Sequence, residues 1–300
     1  MKSSFQLGAL ATAALLLCAS AGAAPVTAPA SASAAAADPQ AGKAINKLVD
    51  EYYDAYARFE PVWATESGDG RFDGQLGLPI APKNRDAQFA LYRGYLKRLG
   101  TIPRERLNPR DQASYDIVKF ELETALRLGA FPEHLLPVDQ MFNMPVFMAN
   151  YAGGQGAQPL ATPQDYRNYL SRLDQMVAYI DQAIANMREG VKRGVVHPRE
   201  PMMSLLPQLK ALVAVTPEAS IFYSPIKALP AGFSSADKTR LTASYRKTIG
   251  DKLNPALARL ATYVEKDYMP ATRTTAGWGA LPNGAEWYKA FGRPDNPHSR

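Results

Sequence analysis

The sequence predicts an all-α protein of long, packed helices, and three observations lead to this prediction. Apolar residues recur three and four positions apart in at least four long segments, the pattern of a helix that buries one face. Three segments start with a capping residue followed by proline, at Asp38, Asn108 and Thr162, which is typical of a helix N-terminus. Strand-like alternation is scarce, so we expect no sheet larger than a small hairpin.

Residues 1–23 have the three parts of a cleavable export signal. Lys2 supplies the positive start, an apolar run follows, and small residues precede a predicted cleavage site after Ala23. The apolar run is too short to span a bilayer of about 30 Å as a stable anchor. We therefore predict an exported protein, periplasmic or secreted.

A lipoprotein signal acylated at Cys18 is the alternative to simple cleavage. Leu17 stands where that signal favours a small residue, so cleavage after Ala23 remains the prediction. Cleavage would remove the only cysteine, and the mature chain would then contain neither disulfides nor reactive thiols.

Residues 24–37 are uncharged and rich in alanine, proline, serine and threonine, which predicts a disordered tether. The first predicted helix begins at Asp38, and its apolar stripe over residues 45–59 is stopped by Pro61. A second apolar stripe over residues 89–99 predicts another helix, closed by a glycine.

Two further helices begin with the same pair of a capping residue and proline. One starts at Asn108 and runs towards Gly129. The clearest helix of the chain opens at Thr162, and we expect Gly190 to form its C-terminal cap.

A last long apolar stripe covers residues 241–268. Pro255 lies inside it, and because proline removes a backbone hydrogen bond we expect a kink there. These elements predict one helical domain over residues 38–288, followed by a polar tail at residues 289–300.

The charge distribution and the lengths of the apolar runs predict neither nucleic-acid binding nor a membrane span. Without Lys2, 33 basic and 28 acidic residues leave a net charge of 33 − 28 = +5, and the two signs are interleaved. No run of five basic residues occurs, so we expect no nucleic-acid binding. No apolar run approaches the roughly 18 residues of a transmembrane helix after the signal, so no membrane span is predicted.

The three histidines do not form a recognisable metal site. His134, His197 and His298 lie far apart, and none belongs to a His-Glu-x-x-His helix. A Gly-x-Ser-x-Gly nucleophile motif is also absent from the sequence. The sequence therefore predicts neither a catalytic residue nor a metal ligand.

Two short segments look like ligand loops but do not match the known patterns. Residues 153–156, Gly-Gly-Gln-Gly, lack the Lys-Ser/Thr that follows in a phosphate loop, so we interpret them as a flexible loop. Glu66, Asp69 and Asp73 do not have the spacing of a calcium loop, and neighbouring glycines favour a structural turn.

Several local patterns, taken together and in this order, resemble one protein family. They are Pro61-Val62-Trp63-Ala64-Thr65, Asp111-Gln112-Ala113-Ser114-Tyr115-Asp116, Thr162-x-x-Asp165-Tyr166-x-x-Tyr169-Leu170-x-Arg172-Leu173, Arg188-Glu189-Gly190 and Leu281-Pro282-Asn283-Gly284-Ala285-Glu286-Trp287-Tyr288. The chain resembles the exported bacterial family called "domain of unknown function 885", whose members are large helical proteins related to zinc metallopeptidases.

The resemblance implies the N-terminal half of a metallopeptidase-like helical fold. Family members are much longer, and their His-Glu-x-x-His zinc helix lies in the second half. Zinc is therefore expected only in that missing C-terminal half, with no cofactor and no catalytic residue in this chain. Gly284 and Tyr288, in a Leu-Pro-x-Gly-x-x-x-Tyr pattern, are the substrate contacts that the resemblance implies. The resemblance to the family fades after Tyr288, which is expected of a truncated chain, a frame-shifted chain or a short paralogue.

Two functions follow as hypotheses. The first is the helical half of an exported metallopeptidase-like hydrolase, inactive alone. The second is a non-catalytic periplasmic module that binds peptides or a partner protein. Under the first hypothesis, wide apolar stripes that include Tyr166, Tyr169, Met176 and Met187 are expected to face the missing half and to stay exposed without it. The oligomeric state is left open.

Overall fold

Helices joined by short turns make up residues 37–292, the part of the chain that the computed structural model describes. The predicted signal at residues 1–23, nearly all of the tether and residues 293–300 lie outside the described residues. The α-helices, in chain order, are α1 Pro39–Ala57, α2 Pro61–Glu66, α3 Pro82–Leu99, α4 Pro109–Leu128, α5 Met144–Ala152, α6 Pro163–Arg193, α7 Arg199–Leu212, α8 Ser224–Lys227, α9 Ser235–Thr248, α10 Asn254–Tyr263 and α11 Gly284–Phe291.

The all-α prediction is confirmed. Within residues 37–292 the only β-type pairing is an isolated bridge between Pro198 and Arg273. The connections are short turns, several of them single turns of 3₁₀-helix.

The three predicted helix starts are confirmed in atomic detail. The side chains of Asp38 and Asn108 accept hydrogen bonds from backbone amides of the first helical turn, at 2.8 and 2.9 Å. Thr162 and Asp165 form a reciprocal capping box at the start of α6. Each cap is followed by proline, whose fixed φ suits the first helical position.

α1, α3 and α4 pack together around a core of their own. Ile45, Leu99 and Leu122 are almost fully buried in it. Pro61 does more than stop the first helix: α1 ends at Ala57, and Pro61 is the first residue of α2.

The larger core surrounds α6, which packs against α5, α9 and α10. Tyr166, Tyr169, Met176 and Met187 are all buried there, so the expectation that these four residues stay exposed is wrong. The physical reason is that later helices of the same chain cover this face of α6. The hydroxyl of Tyr245 in α9, for example, donates a 2.8 Å hydrogen bond to the Tyr166 carbonyl.

The predicted end of α6 is also wrong by one turn. The helix continues to Arg193 and is capped by Gly194, which has the left-handed φ of 69°. Gly190 is a glycine for a different reason. A Cβ there would lie 2.5 Å from the carbonyl oxygen of Val195 and 3.2 Å from that of Leu135.

The last long stripe forms a helix with two wide turns rather than a simple kink. π-helical turns at Ile249–Leu253 and Val264–Tyr268 bracket α10. Pro255 is in the first turn of α10, directly after the first π-turn. The proline thus sits at a change of helical pitch, where its missing N–H costs least.

α11 packs onto the rest of the chain through a small aromatic core. Trp287 is fully buried, stacks on Phe131 at 5.6 Å and contacts Trp278 at 5.0 Å. The helix runs to Phe291, whose ring meets Trp278 edge-on, so it continues past residue 288.

Candidate functional site

An open groove of about 670 Å³ lies between α1, α2, α3 and α4. We call it the aromatic groove, because rings form much of its wall. Its lining comprises Val49, Tyr52, Tyr53, Tyr56, Trp63, Tyr92, Ile117, Val118, Phe120, Glu121, Thr124, Ala125 and Leu128. The volume and the mainly apolar lining are those of a small-molecule or side-chain binding site.

Helical periodicity brings the rings to one wall. Tyr52, Tyr53 and Tyr56 come from two turns of α1, and Trp63 comes from the short α2. The ring centroids of Trp63 and Tyr56 are 5.2 Å apart in an edge-to-face arrangement, and those of Trp63 and Tyr53 are 5.7 Å apart. Trp63 is 43% exposed, so the wall is accessible to a ligand.

Two carboxylates give the aromatic groove a negative character. Glu121 lines it from α4, and the surrounding side chains raise the pKa of its carboxyl through desolvation. Glu60 lies behind the wall, where burial raises the pKa of its carboxyl while a 3.4 Å hydrogen bond from Gln88 opposes that rise. Burial and these two carboxylates together raise the pKa of Tyr56 to about 12.

A buried arginine fixes α2, which carries Trp63, and the loop that follows. Arg172 of α6 is fully buried and donates hydrogen bonds to the Thr65 hydroxyl at 2.6 Å and to the Gln75 carbonyl at 2.9 Å. It also donates to the Pro61 and Phe72 carbonyls, each at 3.2 Å. The guanidinium therefore ties both ends of the segment from α2 to residue 75 to the central helix.

The same network reaches the glycine-rich loop through Gln158 and Tyr151. Arg172 donates a 2.5 Å hydrogen bond to Gln158, and the Tyr151 hydroxyl donates one of 2.6 Å to Glu66. Loop 153–156 packs closely here, since a Cβ at Gly156 would lie 2.5 Å from the Tyr151 ring.

The acidic segment after α2 forms a turn, and its carboxylates are occupied within the fold. Asp69 accepts from the guanidinium of Arg71, which also pairs with Asp54 at 2.7 Å. Asp73 accepts a 2.8 Å hydrogen bond from the Thr65 hydroxyl. Among residues 37–292 no group of three or more His, Cys, Asp or Glu side chains is arranged to hold a metal ion.

The two substrate contacts expected from the sequence lie on α11, away from the aromatic groove. Gly284 is buried, and a Cβ there would come within 1.9 Å of the Trp278 carbonyl oxygen. Tyr288 is 69% exposed. This close approach explains by packing alone why position 284 is a glycine. A substrate contact by Gly284 or Tyr288 stays a prediction.

The sequence reasoning missed the aromatic groove because it assigned Tyr52 and Tyr56 to a buried stripe. Both are only partly buried, and they pack against their core with one side while lining the groove with the other. The available signal was the clustering of three tyrosines within residues 52–56, which is more than one buried stripe uses.

The fold and the groove define a class: an all-helical protein with an open aromatic groove that a carboxylate lines. The family model described as "Bacterial protein of unknown function (DUF885)" matches residues 61–294, most of the chain. The chain belongs to this family, as the sequence patterns predicted, whereas the N-terminal-half assignment and the relation to zinc metallopeptidases stay predictions.

A solved structure shares this fold. It belongs to a protein of Colwellia psychrerythraea named a "putative lipoprotein", with a TM-score of 0.68 and 14% sequence identity. The similarity covers 84% of this chain and 46% of the Colwellia chain, so this chain spans less than half the length of that relative. None of the curated proteins compared matches the sequence significantly. No helix within residues 37–292 is both long and apolar enough to cross a membrane.

Proposed function

We propose that this chain is the substrate-binding helical half of an exported hydrolase of the zinc-metallopeptidase type, and that it binds peptide-like ligands in the aromatic groove. On this proposal the chain contributes no zinc ligand and hydrolyses nothing alone. The observation that carries the proposal is the aromatic groove itself, an open apolar concavity of about 670 Å³ within a rigid helical frame.

The shape and chemistry of the groove suit part of a peptide. Its tyrosines and Trp63 offer large apolar faces with polar tips, a combination enriched at binding surfaces. Ile117, which is 58% exposed, adds an aliphatic contact from α4. A few side chains of an extended peptide would fill this volume.

The hydrolase class in this proposal rests on the resemblance stated from the sequence patterns, and export rests on the predicted signal. The lipoprotein description of the Colwellia protein supports export, in agreement with the signal predicted at residues 1–23. Residues 37–292 hold no cluster of side chains that fits a zinc ion, so no chemical step is assigned to this half.

A second candidate function is a non-catalytic peptide- or partner-binding module. The coverage of α6 by α9 and α10 favours it, because the central helix buries its apolar residues without help from another chain. This module would use the same groove, and the two functions differ only in whether a catalytic half completes the site.

A peptide-binding assay with a matched pair of variants tests the proposal. Binding of short apolar peptides to the full chain is measured calorimetrically, and the change in tryptophan emission, to which Trp63 in the groove contributes, is a second readout. We expect Ile117→Asp to weaken binding at least fivefold, because it places a charge inside the groove, and Met203→Asp, equally exposed on α7, to leave binding unchanged. Failure of every peptide to bind, or equal losses in the two variants, would overturn the proposal.

Hydrolysis is measured in the same samples with added zinc. Turnover that a chelator abolishes would show that the chain is active alone, contrary to the proposal. Addition of a separately produced C-terminal half of a related protein distinguishes the two candidate functions, because only the hydrolase half should gain peptide hydrolysis from it.

A further inference from the structure

We propose that the aromatic groove selects a positively charged organic group, an ammonium or guanidinium, on its ligand. This inference rests on the proposed function, because it names the chemical group that the same groove prefers. Three observations carry it: a group of aromatic rings around one open volume, two carboxylates without a cationic partner among residues 37–292, and a cation that lies over the ring of a neighbouring tyrosine.

The first observation is the grouping of rings around one open volume. The faces of tyrosine and tryptophan carry negative potential, and a cation within about 6 Å of a ring centroid is attracted to it. The ring centroid of Trp63 lies 5.2 Å from that of Tyr56 and 5.7 Å from that of Tyr53, and the centroid of Tyr52 lies 5.9 Å from that of Tyr56. A small cation in the groove could therefore contact several rings at once.

The second observation concerns the two carboxylates. Two exposed carboxylates of α4 outside the groove have cations beside them: Asp116 pairs with Arg104 at 2.5 Å, and Glu123 pairs with Lys119 at 3.8 Å. Among the side chains of residues 37–292, no lysine or arginine lies within ion-pair distance of Glu60 or Glu121. From the part of the chain that the structure describes, the Glu60 carboxylate accepts only the 3.4 Å hydrogen bond from Gln88.

A carboxylate among apolar side chains is stabilised strongly by a cation, because little water remains to solvate it. Glu121 faces the aromatic groove directly, and its charge acts on the phenols of both Tyr52 and Tyr56. The charge of Glu60 acts on Tyr56 and Tyr92 from behind. The charged groups that act on the phenols of Tyr52, Tyr56 and Tyr92 are thus two carboxylates, and their negative charge favours a cationic ligand.

The third observation is that the guanidinium of Arg98 lies over the ring of Tyr95, which neighbours Tyr52 of the groove. The guanidinium of Arg98 lies 4.8 Å from the centroid of Tyr95, and Tyr95 is 5.3 Å from Tyr52. Arg98 is paired with Glu51 and so does not neutralise Glu121. The aromatic surface that continues into the groove therefore already binds one cation.

Choline and its neutral isostere, the alcohol in which a carbon replaces the quaternary nitrogen, test the proposal. The two probes share shape and differ in charge. Binding to the full chain is measured by calorimetry and by Trp63 emission at constant ionic strength. We expect choline to bind about fivefold more tightly, the preference that a cation–aromatic contact of ordinary strength gives. Equal binding of the two probes, or no binding of choline at tens of millimolar, would overturn the cation assignment.

A matched pair of variants locates the preference. Glu121→Gln should reduce the ratio of choline to isostere affinity at least twofold, whereas Glu123→Gln, on α4 but outside the groove, should leave the ratio unchanged. An unchanged ratio in Glu121→Gln would contradict the role of that carboxylate. Equal binding of the two probes together with retained binding of apolar peptides would refute the cation preference while leaving the proposed function in place.

Discussion

The guanidinium of Arg172 donates a 2.6 Å hydrogen bond to the hydroxyl of Thr65, a residue 107 positions earlier in the chain. The Thr65 hydroxyl in turn donates a 2.8 Å hydrogen bond to the carboxylate of the buried Asp73. The cation on the central helix and the carboxylate on the loop after α2 are thus joined through one hydroxyl. The position of Trp63 in the aromatic groove depends on this arrangement.

Replacing Arg172 by methionine should destabilise the protein by about 3–5 kcal/mol, because the Thr65 hydroxyl and three backbone carbonyls would lose a buried donor, and the Asp73 carboxylate would lose a nearby positive charge. Urea denaturation measures the effect. Arg167→Met provides the control, since Arg167 is exposed on the same helix and, among the described residues, donates only to Gln164. Its expected effect is within about 0.5 kcal/mol. Similar small losses in both variants would show that the network does not hold the loop.

Substitution of Gly284 by alanine should destabilise the protein by about 1–3 kcal/mol, as expected for overpacking. The new methyl group would overlap the Trp278 carbonyl oxygen, 1.9 Å away, and would push α11 from its seat. Gly279→Ala in the adjacent turn is the matched control, because nothing lies within 4 Å of its Cβ position. If Gly284→Ala instead lowers peptide affinity without loss of stability, the substrate contact expected from the sequence would replace the packing explanation.

Tyr288→Ala is expected to change stability by less than about 0.5 kcal/mol, since the side chain is 69% exposed. A weaker affinity for peptides in this variant would support the substrate contact predicted from the sequence. Unchanged affinity would restrict ligand binding to the aromatic groove. The measurement is the same calorimetric titration, with Trp63 emission as a second readout.

His134 should make stability fall as the pH decreases from about 6.5 to about 4. Burial, followed by the charges of Arg85 and Arg193, lowers the pKa of its imidazole to about 4 in the folded protein. Because the unfolded chain takes up this proton near pH 6.5, the contribution is complete above that pH and is lost on acidification. His134 is half-buried, so we expect about 1–2 kcal/mol.

The variant His134→Asn isolates this contribution. Desolvation raises the pKa of the carboxyls of Glu60 and Glu133, and their protonation on acidification acts in the opposite direction. The informative quantity is therefore the difference between the two stability curves, measured by urea denaturation at several pH values. A difference that stays constant between pH 7 and pH 4 would contradict the assignment.

The loop before α5 and the start of that helix expose an apolar patch: Met141 and Phe142 in the loop are 74% and 75% exposed, and Phe147 in α5 is 38% exposed. The double variant Met141→Ser/Phe142→Ser should bind less of a hydrophobic dye and aggregate less, with stability changed by less than about 0.5 kcal/mol. The backbone turn should persist, because the carboxylate of Asp139 accepts hydrogen bonds of 2.7 Å from the backbone amides of residues 141 and 142. Unchanged dye binding would place the exposed apolar surface elsewhere.

Local sequence rules were sufficient where the structure depends on neighbouring residues. The start of α6 could be predicted because Thr162, Pro163 and Asp165 act on the same helical turn. The C-terminal end of α6 could not be predicted. Gly190 is required because the Val195 carbonyl oxygen, in the loop after the helix, leaves no room for a side chain there, and not because Gly190 caps the helix. The helical class was equally predictable, since periodicity is a local property.

The candidate site could not be predicted because its geometry joins distant parts of the chain. Arg172 was recognised only as part of a family pattern, and its contacts lie on a segment about a hundred residues earlier. Glu121 has no distinctive local pattern, and its position opposite the tyrosines of α1 follows from the packing of α4 on α1.

The two π-turns that bracket α10 adjust the length of the helix. In each, an amide donates to the carbonyl five residues back, Asn254 to Ile249 and Met269 to Val264, so each turn holds one residue more than a regular one. Removing a residue from an ordinary helix rotates every later side chain by about 100° relative to its neighbours. Here the loss of one solvent-facing residue, such as Asp251, would convert the wide turn into a regular one and keep both flanking segments in register. Relatives that differ by single-residue gaps at these two places would retain the same core.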